Sequence, residues 1–78
     1  MANQNFKMTI LAAVDNQLRE NDPPVTRVTL ERLKTLGYTE KIAKEKIAAV
    51  LIEEIYDLMK NNETYNEERY SRKLRALK

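Results

Sequence analysis

Apolar residues recur along this chain at three- and four-residue intervals, and nowhere do they alternate as they would in a strand. Phe6, Ile10, Val14 and Leu18, with Leu11 beside them, mark an amphipathic helix over about residues 4–20. Asn21-Asp22-Pro23-Pro24 ends it, because each proline pushes the residue before it out of the helical region. Proline also suits the first turn of a following helix, where its missing N–H is not needed. A second helix is therefore predicted over 25–36, carrying Val25, Val28, Leu33 and Leu36. Gly37, the only glycine, falls where a left-handed residue closes a helix, with Tyr38 placed to touch Leu33.

Thr39 then offers a hydroxyl to the free amides of a third helix, and Glu40 complements its positive end. This helix, over 40–60, is the longest and most apolar. Ala43, Ile47, Val50, Leu51, Ile55 and Leu58 form its main stripe, while Ile42, Ala49, Ile52, Tyr56 and Met59 lie off it. A helix apolar around most of its circumference is expected to be packed from several sides, so helix three is placed at the centre. Asn61-Asn62-Glu63-Thr64 breaks the pattern with turn-forming residues. A last helix over 66–77 opens on Asn66 as cap, with Glu67 and Glu68 in its first turn and Arg75 and Lys78 near its end. Tyr70, Leu74 and Leu77 are its buried edge, with Tyr65 packing beside it. The expected fold is all-α: one domain over 1–78, a compact bundle of about four helices.

Length makes every apolar stripe matter. A chain of 78 residues buries only about 60% of its unfolded surface, so each stripe needs a partner in the monomer or across a dimer. There is no cysteine to staple it and no histidine at all, which removes the commonest general base and the usual zinc ligands. No metal and no cofactor is expected. The net charge of +2, from 14 basic and 12 acidic residues, is too small and dispersed to point to a polyanionic partner. The opening residues lack the basic flank and apolar run of a secretory signal, and no apolar stretch approaches the ~20 residues that cross a bilayer. A cytoplasmic protein without membrane contact is the expectation.

Asp22-Pro23-Pro24, Leu30-Glu31-Arg32-Leu33, Gly37-Tyr38, Glu53-Glu54-Ile55-Tyr56-Asp57 and Tyr65-Asn66-Glu67-Glu68-Arg69-Tyr70 follow one another in that order. In this the chain resembles a family of small prokaryotic helical domains of unknown function, over about residues 17–77. The resemblance implies the helical fold and brings no activity with it. Members of that family often carry histidines four apart near Lys7 and Leu11, and again near Lys41 and Glu45. Here Lys, Leu, Lys and Glu stand in those places, so a metal is not expected there. If the two helices face each other, Lys7, Asp15, Lys41 and Glu45 would form a charge cluster instead.

Within the third helix, Glu54 interrupts the stripe built by Ile47, Val50, Leu51 and Leu58. A carboxylate there has to be paired or hydrogen-bonded, because burying it otherwise is costly. A structural role, bonded to a tyrosine, an arginine or helix-terminal amides, is weighed above a ligand or proton-transfer role. Glu53 and Asp57, one turn apart, offer two oxygen ligands to a hard cation, although a solvated helix face accounts for them as well. Ser71 has no histidine to activate it, and Asn62-Glu63-Thr64 matches a glycosylation acceptor without any sign of secretion. No enzymatic activity is expected.

Two functions remain. The leading one is a non-enzymatic module that self-associates or docks on a partner protein through apolar residues in excess of one core: Phe6, Met8, Ile42, Ile52 and Met59. The alternative is weak nucleic-acid binding along the basic C-terminal helix, through Arg69, Arg72, Lys73, Arg75 and Lys78. The helix–Gly–helix corner also invites comparison with a DNA-reading helix-turn-helix. Its second helix is too long and apolar for that, and begins with charges of mixed sign.

Overall fold

The computed structural model describes the backbone of residues 2–78 and the side chains of residues 6–78. Four helices follow one another, α1 (Ala2–Glu20), α2 (Pro24–Thr35), α3 (Glu40–Asn61) and α4 (Glu67–Ala76), with no strand among the described residues. Their ends follow from local chemistry. Asn21, Gly37 and Asn62 have positive φ angles of 53°, 108° and 52°. After each, the next N–H donates to a carbonyl five residues back: Asp22 to Gln17, Tyr38 to Leu33 and Glu63 to Leu58, at 3.0, 3.2 and 2.9 Å. The same closure that Gly37 predicted thus ends three helices, twice with asparagine, the residue that tolerates left-handed backbone best after glycine. At the other ends, the Ile42 N–H donates to the Thr39 hydroxyl at 3.2 Å and the Arg69 N–H to the Asn66 side chain at 3.0 Å.

The core gathers Ile10, Val14 and Leu18 from α1, Leu30 and Leu33 from α2, Ala43, Ile47, Ala48 and Leu51 from α3, and Tyr70 and Leu74 from α4. Each large apolar side chain so buried is worth about 1.5–3 kcal/mol. The expected stripe of α2 needs correction. Leu33 is buried and Val25 packs against the core as expected, but Val28 and Leu36 are exposed, and Thr26, Thr29 and Leu30 join Leu33 on the buried face. Those four share the helical spacing of one face, and the buried Thr26 hydroxyl donates to Gln17 Oε1 at 2.7 Å.

Helix α3 is one unbroken rod that packs on α1, α2 and α4, but α2 also touches the other three, so the centre is a pair of helices and not one. Nor is α3 wrapped on all sides: Ile42, Ala49, Tyr56 and Met59 face solvent. Among the described residues α1 and α4 make no close backbone approach. A buried polar knot spans the gap, where the Tyr70 hydroxyl of α4 donates to the same Gln17 Oε1 at 3.0 Å. The radius of gyration of 12.2 Å is close to the ~11.5 Å expected of a compact chain this long. Among the described residues no helix is long and apolar enough to cross a membrane.

Candidate functional site

Glu54 lies on the α3 face that meets α4 and is wholly buried. Asn66 caps α4 so that Arg69 falls in its first turn and Lys73 one turn on, both pointing at α3. Arg69 grips the carboxylate sideways, with Nε 2.9 Å and a terminal nitrogen 2.6 Å from Glu54 Oε2. Its other terminal nitrogen donates to Glu63 at 3.0 Å, in the α3–α4 loop. The Lys73 ammonium stands 3.4 Å from Glu54, 3.2 Å from Glu53 and 3.1 Å from Asp57. The Arg69 hydrogen bonds, aided by Lys73 and opposed by burial, hold the Glu54 carboxyl below its ordinary pKa. The Arg69 guanidinium is correspondingly driven further from losing its proton, chiefly by Glu54 and then Glu63. Burial works against the Lys73 charge, but Asp57, Glu53 and Glu54 together raise its pKa.

This arrangement assigns an internal cation to the acidic cluster. Glu53 and Asp57 bracket a lysine ammonium from α4. Glu53 lies on the solvated face that the sequence suggested, its side chain 65% exposed, while Asp57 is half-buried. With both Glu54 oxygens engaged by α4 and no solvent access, the residue is placed to fasten two helices together and not to meet a ligand. One surface cavity of about 310 Å3 and another of about 620 Å3 lie elsewhere, and Glu54 lines neither.

The smaller cavity sits between α1 and α3, lined by Leu11, Asp15, Glu40, Lys41, Lys44 and Glu45. The two helices do face each other, and the expected charge cluster forms with one change of partner. Lys7 pairs with Glu45 at 3.6 Å, while Asp15 pairs at 2.8 Å with Lys44 and not with Lys41. Lys44 also reaches Glu40, one turn earlier on α3, at 3.4 Å. Its pKa is raised by the Asp15 hydrogen bond against the pull of burial. Ion pairs this exposed contribute about 0–1 kcal/mol each.

The basic stripe expected on the C-terminal helix divides into two. Arg69 and Lys73 are turned into the interface and spent on α3 carboxylates. Arg72, Arg75 and Lys78 remain on the surface, with Arg72 loosely paired to Glu68 at 3.9 Å. A row of five cations is therefore a row of three. The signal that could have separated them was the four-residue spacing of Arg69 and Lys73, the same as that of Tyr70 and Leu74 on the adjoining buried edge.

The apolar excess divides in the same way. Phe6 and Met8 are exposed but stand two residues apart, hence on different sides of α1, and cannot serve one surface. Ile52 is half-buried and packs against the core. Ile42 and Met59 are exposed, 42% and 79%, on the α3 face turned away from the core, with Tyr56 between them at 65%. Sequence reading missed two arginines. Arg27 donates to the Leu18 carbonyl at 3.0 Å, and Arg32 donates to the carbonyls of Leu74 and Leu77 at 2.8 and 2.6 Å. Each of these two arginines of α2 thereby closes the C-terminal end of a neighbouring helix. No protein-family model matches the chain, and neither a curated protein nor a solved structure does.

Proposed function

We propose that this chain is a non-enzymatic, self-associating helical module, and that it works in the cytoplasm. The observation that carries the proposal is the outer face of α3, where Ile42, Tyr56 and Met59 are exposed on a helix whose opposite side already supplies the core. Apolar side chains gathered on one rigid face mark an interface far more often than the same side chains scattered singly. The polar clusters support a structural reading of the remainder, because Glu54, Arg69 and Lys73 are consumed in joining helices. The likeness to small prokaryotic helical domains enters as a proposal about fold only. Nucleic-acid binding is the weaker reading, since it keeps three cations of its five.

Sedimentation equilibrium over a wide concentration range tests the proposal. The mass is expected to climb from the 9.2 kDa of one chain toward twice that value. A constant single-chain mass at every concentration would refute it. Retention of an oligonucleotide at low salt, lost at high salt, would move the assignment to the basic helix.

A further inference from the structure

Along α3, Ile42, Ala49, Tyr56 and Met59 are exposed away from the core. The half-buried Glu45, paired with Lys7 of α1, and Ile52, packed against the core, fall between them, so that the six positions are separated by three, four, three, four and three. That is the a and d spacing of a coiled-coil seam, carried by a helix whose other side is built into the bundle. From this seam we infer that the partner is a second copy of the chain, packed antiparallel through α3 about a two-fold axis beside Val50 and Leu51. The inference rests on the self-association proposed above and adds the surface, the direction and the register.

Direction follows from complementarity. In a parallel pair each seam residue meets its own copy, so Glu45 would face Glu45, Ala49 would leave a hole against Ala49, and the flanking Lys46 would sit beside Lys41 of the other chain. Like charges opposed in this way count against that pairing. Turned antiparallel, every layer finds an unlike partner. Ile42 meets Met59, the small Ala49 meets Ile52, and the Glu45 carboxylate meets the Tyr56 hydroxyl. Lys46 comes beside Glu53 on the flank, twice by symmetry. The exposures agree with this use at four of the six seam positions, Met59 and Tyr56 being among the most solvent-open large apolar side chains described. The Glu53 side chain is 65% exposed, whereas Glu45 and Ile52 are half-buried and contribute less. Glu53, Lys46 and Glu45 also have partners within the protomer, Glu53 with Lys73 at 3.2 Å, Lys46 with the Tyr38 ring at 4.7 Å and the Lys78 carbonyl at 3.3 Å, and Glu45 with Lys7 at 3.6 Å, so the inter-chain contacts are shared and modest. A single seam about 25 Å long belongs at the small end of specific interfaces, below roughly 1,200 Å2 in total.

The chain has no cysteine, so introduced thiols report contacts without background. Ile42→Cys and Met59→Cys are prepared singly, checked for helicity by circular dichroism, and oxidised mildly alone and as an equimolar mixture, with mass measured in parallel. The mixture is expected to give a disulfide-linked heterodimer, and each variant alone is expected to remain unlinked, because positions 42 and 59 lie about 25 Å apart along the rod. Linking of Ile42→Cys to itself would overturn the antiparallel arrangement. A dimeric mass with no link in the mixture would overturn the register while leaving self-association standing, whereas single-chain mass throughout would overturn both. A charge exchange gives an independent reading that needs no thiol: Lys46→Glu should weaken association several-fold and Lys46→Glu with Glu53→Lys should restore it. Failure of the double exchange to restore association in a folded protein counts against the register.

Discussion

Glu54 shows what one charged side chain costs and returns inside a bundle this small. Its carboxylate has no solvent, and the guanidinium and ammonium that compensate it come from one face of α4. Breaking a buried pair leaves the remaining charges without compensation and typically costs 3–5 kcal/mol. Arg69 and Lys73 each keep about a quarter of their side-chain surface in water, and retain Glu63 and Asp57, so the cost here falls at the low end. Glu54→Ala should therefore lose about 3 kcal/mol, lowering the thermal midpoint by about 10–20 °C. Glu54→Gln, which keeps the shape and one acceptor, should lose about half as much. Thermal unfolding followed by circular dichroism compares the two, and equal losses would contradict the ion-pair account. That a paired carboxylate was needed was legible in the stripe itself. Which residues paired with it was not, because the stripe carries no information about what packs against it.

At the scale of elements, the helix ends are as informative as the core. Three helices close on a residue of positive φ, two open on a side-chain cap, and two C-terminal ends are covered by an arginine from α2. The caps were readable because capping involves neighbours within a few residues, as with Thr39 and Gly37. The arginine closures were not, since Arg32 and Leu77 lie 45 positions apart and only the packed bundle brings them together. Arg32→Met keeps much of the apolar stem while removing both donors, and should leave the last turn of α4 frayed. Amide exchange of residues at that turn should speed up well beyond exchange in α3, with helix content otherwise retained. If protection at the end of α4 were unchanged, the closure would be ornamental. The exposed Val28 and Leu36 teach a related lesson about α2. Threonine at 26 and 29 takes the buried face because its methyl packs and the hydroxyl of Thr26 has Gln17 to bond, a partner from α1 that hydropathy cannot foresee.

For the molecule as a whole, the direction of each pKa shift sets how stability depends on pH. Glu54 is held below its ordinary value, chiefly by Arg69, so its contribution is complete above the unfolded carboxyl pKa of about 4.3. It disappears as pH falls through the folded value, because the unfolded chain takes up the proton first. At the alkaline end the signs reverse. Lys44 and Lys73 are raised, and burial raises the wholly buried Tyr70, so their contributions hold below the unfolded values near 10 and fade as pH rises. Denaturant unfolding across pH should show a plateau from about 5 to about 10 with a decline on either side. The acid decline should be shallower in Glu54→Gln. An identical acid limb in that variant would mean that other carboxylates set it.

What the chain settles without reference to its own folding is local: where four helices start and stop, which side of α1, α3 and α4 is oily, and that Glu54 stands in an oily row. Periodicity and capping act over one or two turns, and are present in the order of residues. Tertiary structure decided the rest. It put two helices at the centre instead of one, set a lysine of α4 between Glu53 and Asp57, and split the C-terminal cations between interface and surface. It also left the far side of α3 open to water. Those outcomes depend on which faces meet once the turns have set the helix directions, and a contact between distant residues is a property of that meeting and not of either residue.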